Sequence, residues 1–400
     1  MSKFITPLII LAILIRLVLA VFTHHADLGA LALAGKAIAG EGKILTFYDS
    51  VNVTDSSGTH LNIYQTVFNY QPLAYLIPSA FYLPFRNIVL QTGELVRDEK
   101  FVTQNPAPLN FQLLLYKYPM ILADLALLWL LPQFFADKKK KNLVVLLWAF
   151  NPIAIYVSSM LGQVDIYIAL FLAVGLLAYQ KNRPFLASVL IAISALFKPA
   201  GLIIFPLIGL HYYVTKKNLL KSLLIVATGF GIYLLGILPY LHSVTYKYYA
   251  LFAEQIGKST YAGISIASGT DIPFFFIFFA LTIVLIWKKK ISLSTATTVA
   301  LLSSLVFSHF HPQWLIWIMP WFIISAVKSG DYFMYLLTSF CWLAILLSFD
   351  STLNLGLFLH SRLSLPPSLT SFSYFKDIIL MARAGLVAVL VWMMVDYEKN

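Results

Sequence analysis

The chain has 400 residues, of which 60% are hydrophobic, 15% aromatic and 11% charged. These proportions exclude an ordinary soluble or disordered protein and predict an integral membrane protein. The formal charge of +11 does not indicate a nucleic-acid partner, because the basic residues form short clusters between apolar runs, as in the cytoplasmic loops of membrane proteins. The single cysteine, Cys341, excludes an intramolecular disulfide.

Apolar runs recur from residue 4 to residue 395, separated by short polar loops. A bilayer core takes roughly 20 apolar residues per helix, so the runs predict an all-α polytopic transmembrane bundle of about twelve spans. No long polar segment separates them, and we expect one membrane domain covering residues 1–400. Arg16 interrupts the first run, which favours an uncleaved first span over a signal peptide.

The lysine-rich clusters orient the spans, because such clusters stay in the cytoplasm. They are "DKKKKN" at 137–142, "QKNR" at 180–183, "KKNLLK" at 216–221 and "WKKKI" at 287–291. Alternate crossing then brings a second set of polar segments together on the external face. These segments are "GQVD" at 162–165, residues 241–270, "HFHPQW" at 309–314 and residues 351–375.

Residues 185–214 cannot form one simple span, because this orientation of the lysine-rich clusters requires the segment to begin and end in the cytoplasm. We expect two short helices that meet near "FKPAG", where Pro199 interrupts the backbone hydrogen bonds. Lys198 would then lie at the outer turn.

Residues 68–85 contain three prolines, Pro72, Pro78 and Pro84, which make a poor spanning helix. A juxtamembrane or re-entrant segment is expected instead, which is permitted where protein or water covers the backbone. On this interpretation residues 23–112 form one large external loop.

Several motifs of the first half occur in a characteristic order: "LIRLVLAVF", a polar turn with Asp27, "YQPLAY", "KYPMILADLALL", "NPI" before "GQVD", and "FKPAG". Together they resemble the GT-C membrane glycosyltransferases, and "HFHPQWLIW" is similar to a late external motif in the mannosyltransferases of that group. The resemblance implies a conserved-type module at 1–214 and a variable transmembrane part at 215–400. The sequence departs from the commoner pattern at Gln71, where a proline is usual, and in lacking an Asp-x-Asp pair after the first span.

The GT-C resemblance implies a polyprenyl-phosphate sugar as donor. Such a donor carries a good leaving group, so the enzyme needs a base for the acceptor hydroxyl and cations for the phosphate. Asp27 occupies the family's position for the catalytic carboxylate, and the alternative is a solvated loop aspartate. Asp165, with Gln163 beside it, is expected to hold the acceptor sugar or a structural cation; the alternative is a carboxylate favoured by a helix N-terminus.

Other polar residues predicted on the external face are candidates for ligand contacts. Those for the donor phosphate are Lys198, Arg16, His309 and His311, although long cations also snorkel without function. Those for the acceptor or cavity are Tyr70, Gln71, Gln313 and Trp314, for which packing or anchoring in the aromatic belt is the alternative. Secondary candidates are Lys117 and Asp124, seven residues apart on one helix face, with a structural role favoured.

These expectations define a glycosyltransferase that moves a hexose, with mannose favoured, from a polyprenyl phosphate to a glycan, lipid-linked or protein acceptor. Its site would face the exterior of a prokaryotic plasma membrane or the lumen of the endoplasmic reticulum. One base suffices for a single displacement, so inversion at the anomeric carbon is expected. No cofactor is required and no metal site is predicted, although a divalent cation is compatible. The alternative function is a transporter or flippase whose intramembrane charges form a relay.

Overall fold

The structure is a computed structural model that describes residues 5–50, 68–93, 96, 106–253, 261–267, 269–308, 311–349, 351–358 and 373–395. Its regular structure is nearly all helical, which confirms the all-α fold. Among these residues the exception is a hairpin in which β1 (Gly263–Ala267) pairs antiparallel with β2 (Thr270–Pro273).

The main helices follow one another with short turns between them. Before residue 150 they are α1 (Ile5–Phe22), α2 (Asp27–Gly35), α3 (Leu73–Tyr82), α4 (Arg86–Thr92), α5 (Pro106–Leu130) and α6 (Lys138–Ala149). The middle helices are α7 (Pro152–Leu161), α8 (Asp165–Gln180), α9 (Pro184–Ala195), α10 (Ile204–Lys216) and α11 (Leu219–Ile237). The last helices are α12 (Phe274–Trp287), α13 (Leu293–Val306), α14 (Met319–Ser329), α15 (Phe333–Leu346) and α16 (Ser373–Val395).

Several of these helices have the length and composition of membrane spans. Within the described ranges, five helical stretches qualify: Ile5–Phe22, Leu73–Thr92, Phe111–Phe134, Leu219–Tyr240 and Phe375–Val395. A sixth is added if α6 and α7, which meet at an angle of 47°, form one broken span. Helices α8, α9, α12, α13 and α15 are apolar but shorter. The chain is therefore a membrane helical protein, whereas about twelve spans stays a prediction.

The proline-rich segment 68–85 is more regular than the sequence suggested. It continues through α3 and a 3-10 turn into α4, and the whole stretch Leu73–Thr92 is one of the five candidate spans. Pro72 directly precedes the helix and Pro84 lies in the 3-10 turn, so only Pro78 interrupts an α-helix. The prolines are tolerated because two of them lie where a missing N–H costs little.

The expected break in residues 185–214 is confirmed. Helix α9 ends at Ala195, and a 3-10 turn at Pro199–Ile203 leads into α10. Lys198 lies between them in an extended conformation, with φ −148° and ψ 144°. Proline fixes its own φ and disfavours helical geometry in the residue before it, which explains why the helix has ended and the backbone is extended at Lys198.

Helices α8 and α9 pack antiparallel and define the two ends of the bundle. The end where α8 begins and α9 finishes is called the site end. The opposite end, with the turn at 181–183, is called the basic end. At the basic end the Lys140 ammonium also donates to the Lys328 carbonyl over 3.0 Å, which joins the start of α6 to the end of α14.

A buried ion pair fastens α1 to the helices around it. The Arg16 guanidinium bonds Asp124 at 2.7 and 3.4 Å, and its remaining N–H groups reach the carbonyls of Ala12, Trp148 and Ala149. Since an arginine has five N–H donors, none is left over. Asp124 also accepts from the Trp148 indole at 2.8 Å and the Ser158 hydroxyl at 2.7 Å.

Replacing Asp124 with leucine should destabilise the protein by about 3–5 kcal/mol, because removal of one member leaves the other charge buried without its partner. The double variant Arg16→Met/Asp124→Leu should recover much of this loss. The measurement is thermal unfolding of the three proteins in the same detergent. A double variant as unstable as Asp124→Leu alone would contradict this account of the pair.

Candidate active site

Asp165 and Lys198 form a second buried ion pair, at the site end. The lysine ammonium lies 2.9 and 2.8 Å from the two carboxylate oxygens of Asp165. The Trp317 indole N–H donates to the same carboxylate over 2.8 Å. Asp165 is the first residue of α8 and is fully buried. The helix N-terminus, the lysine and the indole together offset the cost of burying its charge.

Aromatic rings surround the Lys198 ammonium. It lies 4.3 Å from the Tyr70 ring centroid and 5.5 and 5.9 Å from those of Trp314 and Trp317. The two tryptophans stack on each other at 5.6 Å with an angle of 14° between their planes. Cation–π contacts of this kind favour a cation that is removed from water.

Asp27 lies at the start of α2, and its side chain is 43% exposed. The Gln163 amide donates to its Oδ2 over 2.8 Å, and no described residue hydrogen-bonds Oδ1. His25 is close, with Nδ1 3.6 Å from Oδ2, yet this nitrogen accepts the backbone N–H of Asp27 at 3.2 Å. A nitrogen that accepts carries no proton, so the backbone contact is the one that orients His25, and the carboxylate keeps a free edge.

The two carboxylates belong to one region because Gln163 and Asp165 are separated by a single residue. Two residues span at most about 7 Å of backbone. Tyr70 lies in the same region, and burial, followed by the negative charges of Asp27 and Asp165, raises the pKa of its phenol well above the usual value. Tyr70 is therefore a neutral hydroxyl and does not compete with Asp27 as a base.

Lys117 fastens the two segments that carry Asp27 and Gln163. Its ammonium donates to the carbonyls of Thr23 at 2.6 Å and Met160 at 2.7 Å, and contacts the Thr23 hydroxyl at 2.9 Å. Thr23 ends the first helix region, and Met160 lies just before the Gly162–Gln163 turn. This cross-link gives Lys117 a positioning role.

His24 anchors the same loop from the other side. Its Nε2 bonds the Val96 carbonyl at 2.8 Å, and its backbone N–H donates to Leu357 over 2.8 Å. Burial lowers the His24 pKa to about 4, so the imidazole is neutral at physiological pH. It serves as a fixed hydrogen-bond donor.

The other predicted site residues have separate places. Arg16 and Asp124 bond each other within the bundle, which leaves the guanidinium no free donor. The phosphate contact that the sequence predicted for Arg16 is therefore wrong, and its role is structural. Gln71 is buried, with its amide joined to Tyr246 at 2.7 Å and to the Ala250 carbonyl at 3.0 Å. It connects the start of α3 to the segment after α11, and both atoms of its amide already have partners within the protein.

Residues 309–314 are only partly described. His309 lies outside the described residues. His311 packs against Trp314 with ring centroids 5.5 Å apart, at an angle of 57°. Gln313 is 2% exposed, and its Oε1 has no hydrogen-bond partner in the described structure. Trp317, which donates to Asp165, is the last residue of the "HFHPQWLIW" motif and lies three residues after Trp314.

A metal site is not evident in the part of the chain that the structure describes: no group of three His, Cys, Asp or Glu side chains could hold an ion there. Asp27 and Asp165 each have nitrogen donors instead. The region therefore combines one accessible carboxylate, one buried ion pair and several aromatic rings.

An all-helical membrane bundle with these polar groups at one end has the features of a GT-C-type membrane glycosyltransferase. The model of glycosyltransferase family 87 matches residues 113–348, and the chain belongs to this family. No curated protein and no solved structure matches it significantly. The matched range contains Asp165, Lys198 and Trp317, whereas Asp27 precedes it.

Replacing Gly162 with alanine should lower both stability and transfer activity. Gly162 has φ +70°, and an added Cβ would lie 2.7 Å from Lys117 Cγ and 3.0 Å from Leu28 Cδ1. A change there strains the turn that carries Gln163. Gly231→Ala is the matched control, because a Cβ there meets nothing within 4 Å and alanine favours a helix interior by about 1 kcal/mol.

The measurements are the melting temperature in detergent and sugar transfer by the same preparations. We expect a lower melting temperature for Gly162→Ala and an equal or higher one for Gly231→Ala. Equal behaviour of the two variants would contradict the proposed geometry of the turn.

Proposed function

We propose that this family member transfers a hexose, with mannose favoured, from a polyprenyl phosphate to a glycan, lipid-linked or protein acceptor on the external or luminal face of the membrane. The observation that carries the proposal is the contact between Asp27 and Gln163, which brings an accessible carboxylate beside the Asp165–Lys198 pair at one end of a membrane bundle. A prokaryotic plasma membrane, or the endoplasmic reticulum of a eukaryote, is the corresponding location.

Asp27 is proposed as the general base. In the reaction the acceptor oxygen attacks the anomeric carbon, the bond from that carbon to the phosphate oxygen breaks, and the bonding pair leaves with the polyprenyl phosphate. The acceptor proton passes to Asp27, whose Oδ1 edge is free to receive it. A single displacement of this kind inverts the anomeric carbon, and the leaving phosphate needs no general acid.

Lys198 is proposed to contact the departing phosphate. An ammonium has three N–H donors, and the two contacts with Asp165 leave one. A charge-assisted bond from this donor would strengthen as negative charge develops on the leaving oxygen, which is the condition for lowering the barrier. Asp165 then acts by holding the lysine in place, so its role changes from acceptor contact to positioning residue.

The tryptophan pair and Gln313 are proposed to contact the sugar. A stacked indole offers an apolar face to the C–H side of a hexose ring, and the free Oε1 of Gln313 can accept from a sugar hydroxyl. A buried acceptor without a partner is costly. A ligand hydroxyl would remove that cost, which supports Gln313 as part of the binding region.

Replacing Asp27 with asparagine should reduce transfer by at least about 100-fold, because general base catalysis typically contributes 100- to 10,000-fold. Asparagine keeps the shape and the contact with Gln163 but cannot take a proton. The measurement is transfer of labelled sugar from polyprenyl-phosphate mannose into a membrane extract that supplies acceptors, with donor binding measured in parallel. Donor binding should change little, since the base contacts the acceptor.

Asp49→Asn is the control, because Asp49 is a partly buried carboxylate in the same external loop region that bonds Ser243 at 2.7 Å. It should retain near-native transfer. If Asp27→Asn also transfers at the native rate while folded and donor-bound, the base is another group. If only a nucleotide sugar supports transfer, the polyprenyl-phosphate donor is wrong.

A further inference from the structure

A cavity of about 580 Å³ lies at the basic end of the bundle, far from the candidate active site. Its lining includes Tyr179 and Gln180 at the last turn of α8, whereas Asp165 is the first residue of that helix. Sixteen helical residues extend about 24 Å at 1.5 Å per residue. The cavity is therefore separate from the Asp165–Lys198 pair.

The described lining of this cavity is basic and contains no acidic residue. Two lysines contribute, Lys216 at the end of α10 and Lys221 in the first turn of α11. Lys221 lies 5.8 Å from the centroid of the Tyr212 ring, and neither ammonium is paired with a described carboxylate. We call this space the lysine-lined cavity.

Hydrogen-bonding groups accompany the two charges. Ser294 brings a hydroxyl to the lining, and His211 brings an imidazole whose Nδ1 bonds the Tyr179 hydroxyl at 2.8 Å. Thr215 also lines the space, and its hydroxyl donates to the His211 carbonyl over 2.7 Å. The first residue of α9, Pro184, and the cap of α13, Ser292, also line the space. The N-terminal ends of these two helices therefore lie at the cavity, and their partial positive charges add to the attraction of the lysines for an anion.

The position of the cavity relative to the membrane follows from its aromatic neighbours. Tyr213 lies beside Tyr212 and packs against the exposed Trp287, with ring centroids 6.1 Å apart. Tyrosine and tryptophan concentrate at the level of the lipid headgroups. The lysine-rich loops on this side are those that the positive-inside rule assigns to the cytoplasm.

We propose that the lysine-lined cavity binds a phosphate group, carried by the headgroup of an anionic lipid in the cytoplasmic leaflet. Two ammonium groups and several donors suit a phosphate. The volume lies within the range of ordinary ligand sites. Basic residues at this level attract anionic lipids. The proposal does not depend on the chemistry at Asp27.

The test is native mass spectrometry of the detergent-purified protein titrated with phosphatidylglycerol, with phosphatidylcholine as the neutral lipid. Lys216→Gln/Lys221→Gln should weaken phosphatidylglycerol binding roughly tenfold or more, since a charge-assisted hydrogen bond to a phosphate typically contributes about tenfold or more. The control is Lys138→Gln/Lys288→Gln, which removes the same charge from exposed residues outside the lining. It should bind nearly as well as the wild type.

Thr215→Phe tests the same cavity without a change of charge, because the larger ring occupies part of the space. It should also weaken binding. Equal affinities for the two lysine double variants, or no preference for phosphatidylglycerol over phosphatidylcholine, would overturn the proposal. If inorganic phosphate binds to the wild type and not to Lys216→Gln/Lys221→Gln, while phosphatidylglycerol binds to neither, the ligand is a soluble phosphate and the lipid assignment is wrong.

Discussion

A charge inside a membrane bundle must have a partner, and this requirement arranges the functional end of the protein. Arg16 bonds Asp124, Lys198 bonds Asp165, and the Lys117 ammonium donates to the backbone carbonyls of Thr23 and Met160. In each case the partners come from different segments of the chain. The cost of leaving any of these groups unpaired in a low-dielectric interior is several kcal/mol, so the three sets of contacts fix how the helices meet.

Asp27 differs from these groups, because it is half exposed and has one hydrogen bond from a described side chain. Its position is set indirectly: Lys117 holds the chain before it, His24 holds the loop, and Gln163 holds one of its oxygens. A carboxylate that is fixed but not neutralised can accept a proton from a substrate. The buried pairs thus provide the rigidity, and the exposed carboxylate keeps the chemical capacity.

The sequence predicted the features that depend on local chemistry. Pro199 predicted the helix break at Lys198, and the apolar runs predicted the all-α membrane fold. The partners of the buried charges could not be predicted from the sequence, because Arg16 and Asp124 are 108 residues apart and no local pattern relates them. Arg16 consequently resembled a phosphate ligand. The helix through Pro78 was also missed, since proline has a low helix propensity but tertiary packing can override it.

The central claim is that the site end binds a polyprenyl-phosphate sugar through the Lys198 ammonium. The most direct measurement compares the dissociation constant for polyprenyl-phosphate mannose between the wild type and Asp165→Asn/Lys198→Gln, a double variant that removes both charges and leaves neutral amides to pair. A charge-assisted bond contributes about 1.5–3 kcal/mol. The account therefore predicts binding by the wild type and a loss of roughly tenfold or more in a variant that still unfolds cooperatively. Equal affinity in the two folded proteins would contradict it.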